Sequence, residues 1–157
     1  MSTSEAWLIE YDDSLSIALG DHAMVELVQG SSIFPIPGAP KHCSSVCLWH
    51  SKILPIMDIR SILNIEESAQ DDSGYLCIIR YRFSQDKPVQ QFALRVNKAP
   101  QRITVDDSQA CDVPENYQSS LLDDAIISCF SHNEKPVLIL DINRLCSADF
   151  LSHATAA

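Results

Sequence analysis

The stretch CLWHSKILPIMDIR, residues 47–60, decides the fold. It opens with a Cys, a Trp and a His close together, and it ends on an apolar run closed by Asp58, Ile59 and Arg60. Residues 46–50 and 53–57 read as two strands joined by a turn at Ser51-Lys52. Apolar side chains run almost without interruption, as in strands buried on both faces. Asp58 is placed to cap a helix over 59–64, its carboxylate accepting from the backbone N–H of Arg60 or Ser61. The same run returns 83 residues later, where LPIMDI (54–59) falls on VLILDI (137–142) and Ile62 on Leu145. Two buried strands can look alike through composition alone. Here each copy also follows a strand and a tight polar turn, which points to two similar β-barrel halves, each closed by a strand–Asp–helix element.

Working outward, short strands with turn signals every ~8–12 residues dominate, a spacing that suits barrels better than a βαβ fold. WLIEY (7–11) and LSIAL (15–19) read as a hairpin around an Asp12-Asp13 turn. Gly20-Asp21 is expected to open a short helical turn running through His22 to Val25. GSSIFPIPGAP (30–40) carries three prolines and is expected to be an irregular, extended connection. EESAQDDSG (66–74) reads as a polar loop. YLCIIRYRF (75–83) and VQQFALRVN (89–97) are long strands. Alternation puts Cys77, Ile79, Tyr81 and Phe83 on one face and Arg80 and Arg82 on the other. Phe92, Leu94 and Val96 likewise point inward and Arg95 outward. QRITV (101–105) is a further strand, residues 106–118 are loop, and a strand around 126–130 turns at 132–135 into PVLILDINRLC (136–146). The last residues, HATAA, read as a frayed tail.

A chain of 157 residues with 46 % apolar and 20 % charged side chains fits one ordinary domain or two small, tightly joined subdomains, with a real core. The formal net charge of −10 disfavours phosphate backbones and adhesion to anionic lipid by charge. No apolar run approaches the roughly 20 residues that span a bilayer, and the N-terminus lacks the basic region of a signal peptide. A cytoplasmic protein is expected, with its six cysteines as reduced thiols.

Several residues invite a chemical reading. His42, Cys43, Cys47 and His50 resemble a metal set, and Cys43, Cys47 and His50 would share a face on one helix. The strand reading puts Cys47 and His50 on opposite faces, and ligands on opposite faces cannot converge at ~2.0–2.3 Å. Cys47 is then a small buried hydrophobe. A thiol enzyme using Cys47 and His50 is the alternative from another class, and it would require a lowered Cys47 pKa. No G-x-S-x-G elbow occurs, and four glycines in all leave no phosphate-cradling loop. The acidic doublets at 12–13, 71–72, 106–107 and 123–124 fall at turns, where Asp bonds the backbone. Arg80, Arg82 and Arg95 form a basic stripe that reads either as a solvated face or as a contact for an acidic partner. No catalytic residue, cofactor or metal is expected.

The order of these elements resembles the CheW-like domain, the adaptor of bacterial chemosensory arrays. The family shows a Pro-rich connection, then a G-V-I-N-L-R-G-x-I-V-P-V-I-D-L-R stretch, strands ending near G-L-x-V-D, and a terminal L-L-D-x-x-x-L. Here IPGAP (36–40) is followed by VCLWHSKILPIMDIR (46–60), FALRVN (92–97) and VLILDINRL (137–145). The match runs from about residue 7 to residue 146. The resemblance implies a mainly β fold of two small five-stranded β-barrels packed together, with a few short helices. That is one CheW-like domain over 1–157, ordered from about 7 to 148, with subdomains meeting near 64–75 and the C-terminal strand and helix packing back on the first. It implies a non-enzymatic scaffold bridging the cytoplasmic tip of a methyl-accepting chemoreceptor to the regulatory domain of a CheA-type histidine kinase. The acidic charge and the lack of a spanning apolar run add the expectation of no nucleic-acid partner and no direct membrane insertion. Val46, Leu48, His50 and Ile53 are expected at the partner groove, with Arg60 as a support; Pro55, Asp58 and Asp141 are read as structural. Departures sit in the hairpin: His50 replaces the family's Arg, removing a permanent charge and a bidentate donor. Ser51 replaces its Gly, Ser45 an earlier Gly, and Asn97 the Asp of V-D. These departures fit a divergent branch, such as a pilus-linked (twitching) adaptor, as well as the flagellar type. The alternative within binding proteins is a freestanding β-barrel interaction module outside chemotaxis.

Overall fold

The WLIEY and LSIAL runs pair as read, with the first strand beginning earlier, at Thr3, and the second shifted by one residue to Ser16–Gly20. β1 (Thr3–Glu10) and β2 (Ser16–Gly20) form an antiparallel hairpin with Leu8 opposite Ala18. β3 (Met24–Gln29), β4 (Ile33–Pro35), β5 (Ser45–Trp49), β6 (Lys52–Met57) and the short helix α1 (Ile59–Ile62) follow. Then come β7 (Tyr75–Tyr81), β8 (Gln90–Val96), β9 (Gln101–Asp106), a 3-10 turn (Asp107–Gln109), β10 (Ile126–His132), β11 (Lys135–Leu140) and α2 (Ile142–Leu145). The computed structural model describes residues 3–11, 15–30, 32–40, 43–62, 74–82, 84–115 and 124–147. The Asp12-Asp13 turn, His42, Phe83, the loop over 66–73, residues 116–118 and the C-terminal tail lie outside these.

The strands make two sheets, ordered β10-β11-β2-β1-β9 and β3-β7-β8-β6-β5-β4. The first takes β1 and β2 from the N-terminal half of the chain and the rest from the C-terminal half. The second takes β7 and β8 from the C-terminal half and the rest from the N-terminal half. The junctions are parallel and short: Ile56 and Met57 lie on Ala93 and Leu94, and Leu138 and Ile139 lie on Ile17 and Ala18. The repeat seen in the sequence thus maps β5-β6-α1 onto β10-β11-α2, each docked on a hairpin from the other half. The two Asp residues play matching parts. Asp58 Oδ1 accepts from the Arg60 N–H at 3.1 Å, and Asp141 Oδ1 caps α2 by accepting from the Arg144 N–H at 3.2 Å.

Each sheet curls on itself. Ala110, just past β9, bridges Phe130 on β10, so the two edges of the first sheet meet. Asp106 and Gln109 form a capping box that turns the chain there, and the Gln109 side chain donates to the Ser131 carbonyl at 3.1 Å. In the second sheet the Trp49 indole N–H of β5 reaches Glu26 on β3 at 2.8 Å.

Burial follows this curvature. Leu8, Ala18, Phe130 and Val137 fill the inside of the first sheet; Cys47, Leu54, Ile56, Leu76, Ile78 and Ala93 fill the second. The alternate residues meet between the sheets: Ile9, Ile17 and Leu19 from one side, Cys77, Ile79, Phe92 and Leu94 from the other. Alternation had placed Cys77 and Ile79 on one face of β7, and they do lie there. The other face carries Leu76 and Ile78 before it reaches exposed Arg80. Such double-sided burial is what made the runs look continuous. Each fully buried Leu or Ile contributes about 1.5–3 kcal/mol of transfer free energy, so the central layer dominates the stability of the fold.

Two readings are corrected. The expected helical turn over 22–25 is a tight turn at 21–23 leading into β3, which pairs with β7 from Met24↔Ile79 to Gln29↔Tyr75. Val25 and Val28 favour that extended backbone, and pairing overrides the local Gly-Asp signal. Residues 33–35, expected to be irregular, form β4 on the edge of the second sheet, where Pro35 is tolerated because its missing N–H is not needed by another strand. At the β11–β2 junction, Leu138→Ala should lower unfolding free energy by about 2–5 kcal/mol; urea denaturation followed by circular dichroism measures it.

Candidate partner-binding surface

The hairpin of the opening stretch builds a surface with two unlike faces. Cys47 and Leu54 are opposite one another, with Ile33 beside Cys47, and all three point into the second sheet's interior. The alternate pairs point out. Phe34, Val46 and Pro55 form one cross-strand row and Leu48 and Ile53 the next. Ile53 is 72 % exposed, and Leu48 and Phe34 are each 53 % exposed. This is a contiguous apolar face on β4, β5 and β6 of a strongly acidic protein. Sequence reading found Val46, Leu48 and Ile53 but missed Phe34; the usable signal was the Ile33-Phe34-Pro35-Ile36 run, which Pro had marked as loop.

The end of the hairpin is polar. His50 and Ser51, not Ser51 and Lys52, form its two-residue turn, between Trp49 and Lys52. Both take positive φ, 46° and 63°. Positive φ at both central residues is the signature of a type I′ turn, the turn whose twist matches that of flanking strands. Ser51, at the position where the family pattern has glycine, therefore places an L side chain in the left-handed region. The repeat does the same: Asn133 (φ 52°) and Glu134 (φ 65°) join β10 to β11. On the first hairpin, Glu26 accepts from Trp49 and lies 3.5 Å from His50 Nε2, while the Trp49 and His50 rings meet edge-on at 4.4 Å. The exposed His50 thus stands at the rim of the apolar face, held next to an acidic group.

Arg60 sits elsewhere. It is only 8 % exposed, and its Nη2 donates to the Tyr11 carbonyl at 3.4 Å. Asn97 Nδ2 donates to the same carbonyl at 2.7 Å, and the Tyr11 hydroxyl donates to the Arg95 carbonyl at 3.2 Å. Burial, with Asp58 second, pushes the Tyr11 phenol well above its ordinary pKa. Arg60 and Asn97 therefore tie the end of β1 to α1 and to the end of β8, and four of the five predicted residues remain at the surface.

The other chemical candidates separate in space. Cys47 is buried inside the sheet, and burial raises its thiol pKa. That is the reverse of an activated nucleophile. His50 lies outside on the turn. Among the described residues no three His, Cys, Asp or Glu side chains gather as a metal cluster. Of the basic stripe, Arg80 donates to the His22 carbonyl at 2.5 Å. Of the acidic doublets, Asp106 serves the capping box and Asp124 pairs with Arg144 at 2.5 Å.

A family model of the CheW-like domain matches residues 8–150. The chain belongs to the CheW-like domain family. Among solved structures it is similar to the scaffolding protein TtCheW from Thermoanaerobacter tengcongensis, with a TM-score of 0.75 at 16 % identity, covering 95 % of this chain and 96 % of that one. At that identity the likeness concerns the fold. No curated protein matches by sequence. No helix among the described residues is long and apolar enough to cross a membrane. Within this CheW-like domain, one substitution and one labelling experiment check the local geometry. Ser51→Gly should raise stability by about 0.5–1 kcal/mol, since glycine enters the left-handed region without the Cβ clash; thermal unfolding reads the change. Cys47 should react with a maleimide at neutral pH far more slowly than exposed Cys111, as mass spectrometry of timed labelling would show.

Proposed function

We propose that this CheW-like domain is a non-enzymatic scaffold of a cytoplasmic, membrane-associated chemosensory array, coupling a methyl-accepting chemoreceptor to a CheA-type histidine kinase. The observation that carries the reading is the outward row of Phe34, Val46, Leu48, Ile53 and Pro55. Its counterpart on the repeat is not an open apolar face: Ser131 and Pro136 stand where Leu48 and Ile53 would, and Cys129 and Leu138 are buried in the central layer. Of two surfaces related by the same repeat, one has its Cys129–Leu138 pair buried by its own chain, while on the other the matching Val46–Pro55 pair stays at the surface beside exposed Leu48 and Ile53. Exposed apolar groups of this kind gain free energy only when a partner removes them from water.

The regulatory domain of the kinase is itself expected to be CheW-like, so it can present a matching barrel. Apolar contact at the centre of the face would supply affinity, and His50, Lys52 and Glu26 at the rim would set partner choice and register. Arg60 acts from beneath, by fixing the end of β1 against α1. The His50 substitution leaves the rim without the family's permanent positive charge, which suits a pilus-linked array as well as a flagellar one.

Titration calorimetry with the regulatory domain of a CheA-type kinase from the same organism tests this. Leu48→Asp and Ile53→Asp should each weaken binding by at least ~10-fold, about 1.4 kcal/mol, with far-UV circular dichroism unchanged. Absence of binding by the wild-type chain to both the kinase domain and a receptor-tip fragment overturns the proposal.

A further inference from the structure

The closure of the first sheet brings two cysteines together. Past the Ala110–Phe130 bridge, Cys111 lies opposite Cys129, and the Cys111 N–H donates to the Cys129 carbonyl at 3.0 Å. Directly opposed residues of antiparallel strands have Cα atoms roughly 4.5–5.5 Å apart, inside the roughly 4.4–6.8 Å range a disulfide requires. The side chains point at each other, with the sulfurs 3.1 Å apart. Closing to a bond of about 2.05 Å needs an approach of only about 1 Å. The two thiols differ in environment: Cys111 is exposed, while Cys129 is 1 % exposed and packs into the layer between the sheets. We propose that Cys111 and Cys129 are an intramolecular disulfide-forming pair that locks the edge closure of the first sheet when a hydroperoxide oxidises the protein.

The chemistry assigns an order. Cys111 is exposed and Cys129 buried, so the hydroperoxide meets Cys111 first; burial also pushes the Cys129 thiol up to about 12. The Cys111 thiolate sulfur attacks the terminal oxygen of the hydroperoxide; the O–O bond breaks, and the alcohol (or water) leaves with the proton shed by Cys111. Cys111 is then a sulfenic acid. The Cys129 sulfur attacks the Cys111 sulfur, the S–O bond breaks, and the hydroxyl departs as water with the Cys129 proton. Two thiols lose two electrons, and one hydroperoxide is reduced. The bond would fix the contact now made by one bridge, the Cys111 N–H hydrogen bond and the Gln109 side chain. Because the two sulfurs already lie 3.1 Å apart, little rearrangement is demanded of the sheets, and the cross-link acts mainly on the unfolded state.

The full-length chain is treated with hydrogen peroxide in its native state, then unfolded and alkylated without reduction. The expected result is a monomer with four of its six cysteines alkylated and a peptide cross-linked through Cys111 and Cys129. It should also unfold at a Tm higher by roughly 5–10 °C, reversed by dithiothreitol. Cys111→Ser, a change at an exposed position, should leave Cys129 fully alkylatable and abolish the peroxide-dependent rise in Tm. Alkylation of both cysteines after peroxide, recovery of Cys111 as a sulfinic acid, or a disulfide joining two chains overturns the pairing. A 111–129 cross-link without a rise in Tm overturns the locking role.

Discussion

Two parallel ladders, each two residue pairs long, hold the molecule together: Ile56 and Met57 on Ala93 and Leu94, and Leu138 and Ile139 on Ile17 and Ala18. Each joins a hairpin from one half of the chain to a hairpin from the other. Few hydrogen bonds are involved, so the ladders depend on what they bury. Ile17, Leu94, Met57 and Leu138 all lie in the central layer. Without that layer, the sheets would fall into separate ribbons of two or three strands, each with one apolar face open to water. With it, the hairpins become interior strands whose two faces are both apolar. The Leu138–Ile17 pairing spans most of the chain and the Ile56–Ala93 pairing a shorter stretch, so closure entropy must be met before the layer repays it, a topology associated with slow folding.

The same arrangement explains why a surface can be open on one sheet and closed on the other. β4 adds to the outer edge of the second sheet and leaves the outward residues of β5 and β6 uncovered. The segment after β9 instead turns inward, bridges β10 and places Cys111 against Cys129. Repeat-related hairpins thereby acquire different surroundings. Their tight turns, by contrast, are alike, with positive φ at His50, Ser51, Asn133 and Glu134. Turn geometry is a local requirement of strand twist, whereas covering a face is a decision of the connecting chain.

How much of this was legible in the sequence follows from the range of each interaction. The repeat of LPIMDI and VLILDI was readable because strand, Asp and helix are adjacent in the chain, and both Asp residues bond the backbone N–H groups of the helices that follow them. The alternation in 75–83 correctly grouped Cys77 with Ile79. It could not show that Leu76 and Ile78 are also buried, because a period of two says which residues share a face and not what lies on either side. β3 was hidden by a Gly-Asp turn signal, and its strand state is set by five pairings with β7. β4 was hidden by Pro35, whose tolerance depends on sitting at an edge. At the surface, the outward positions of β5 and β6 were accessible to pattern reading, while Phe34 came from a segment that only pairing defines. Arg60 was read as a support, but sequence gave no sign that its partner would be the Tyr11 carbonyl.

The interleaving of the halves also bears on what either half can do alone. Apart from the added edge strand β4, the sheet orders β10-β11-β2-β1-β9 and β5-β6-β8-β7-β3 correspond strand for strand, and in each the hairpin at the centre belongs to the other half. A polypeptide of half this length, with one hairpin, one crossing strand and one strand–Asp–helix unit, has no complete sheet of its own. Two copies exchanging hairpins would complete both. Each half therefore depends on the other for the middle of its sheet, so neither half is expected to fold alone, while the faces away from the shared hairpins can differ from one half to the other.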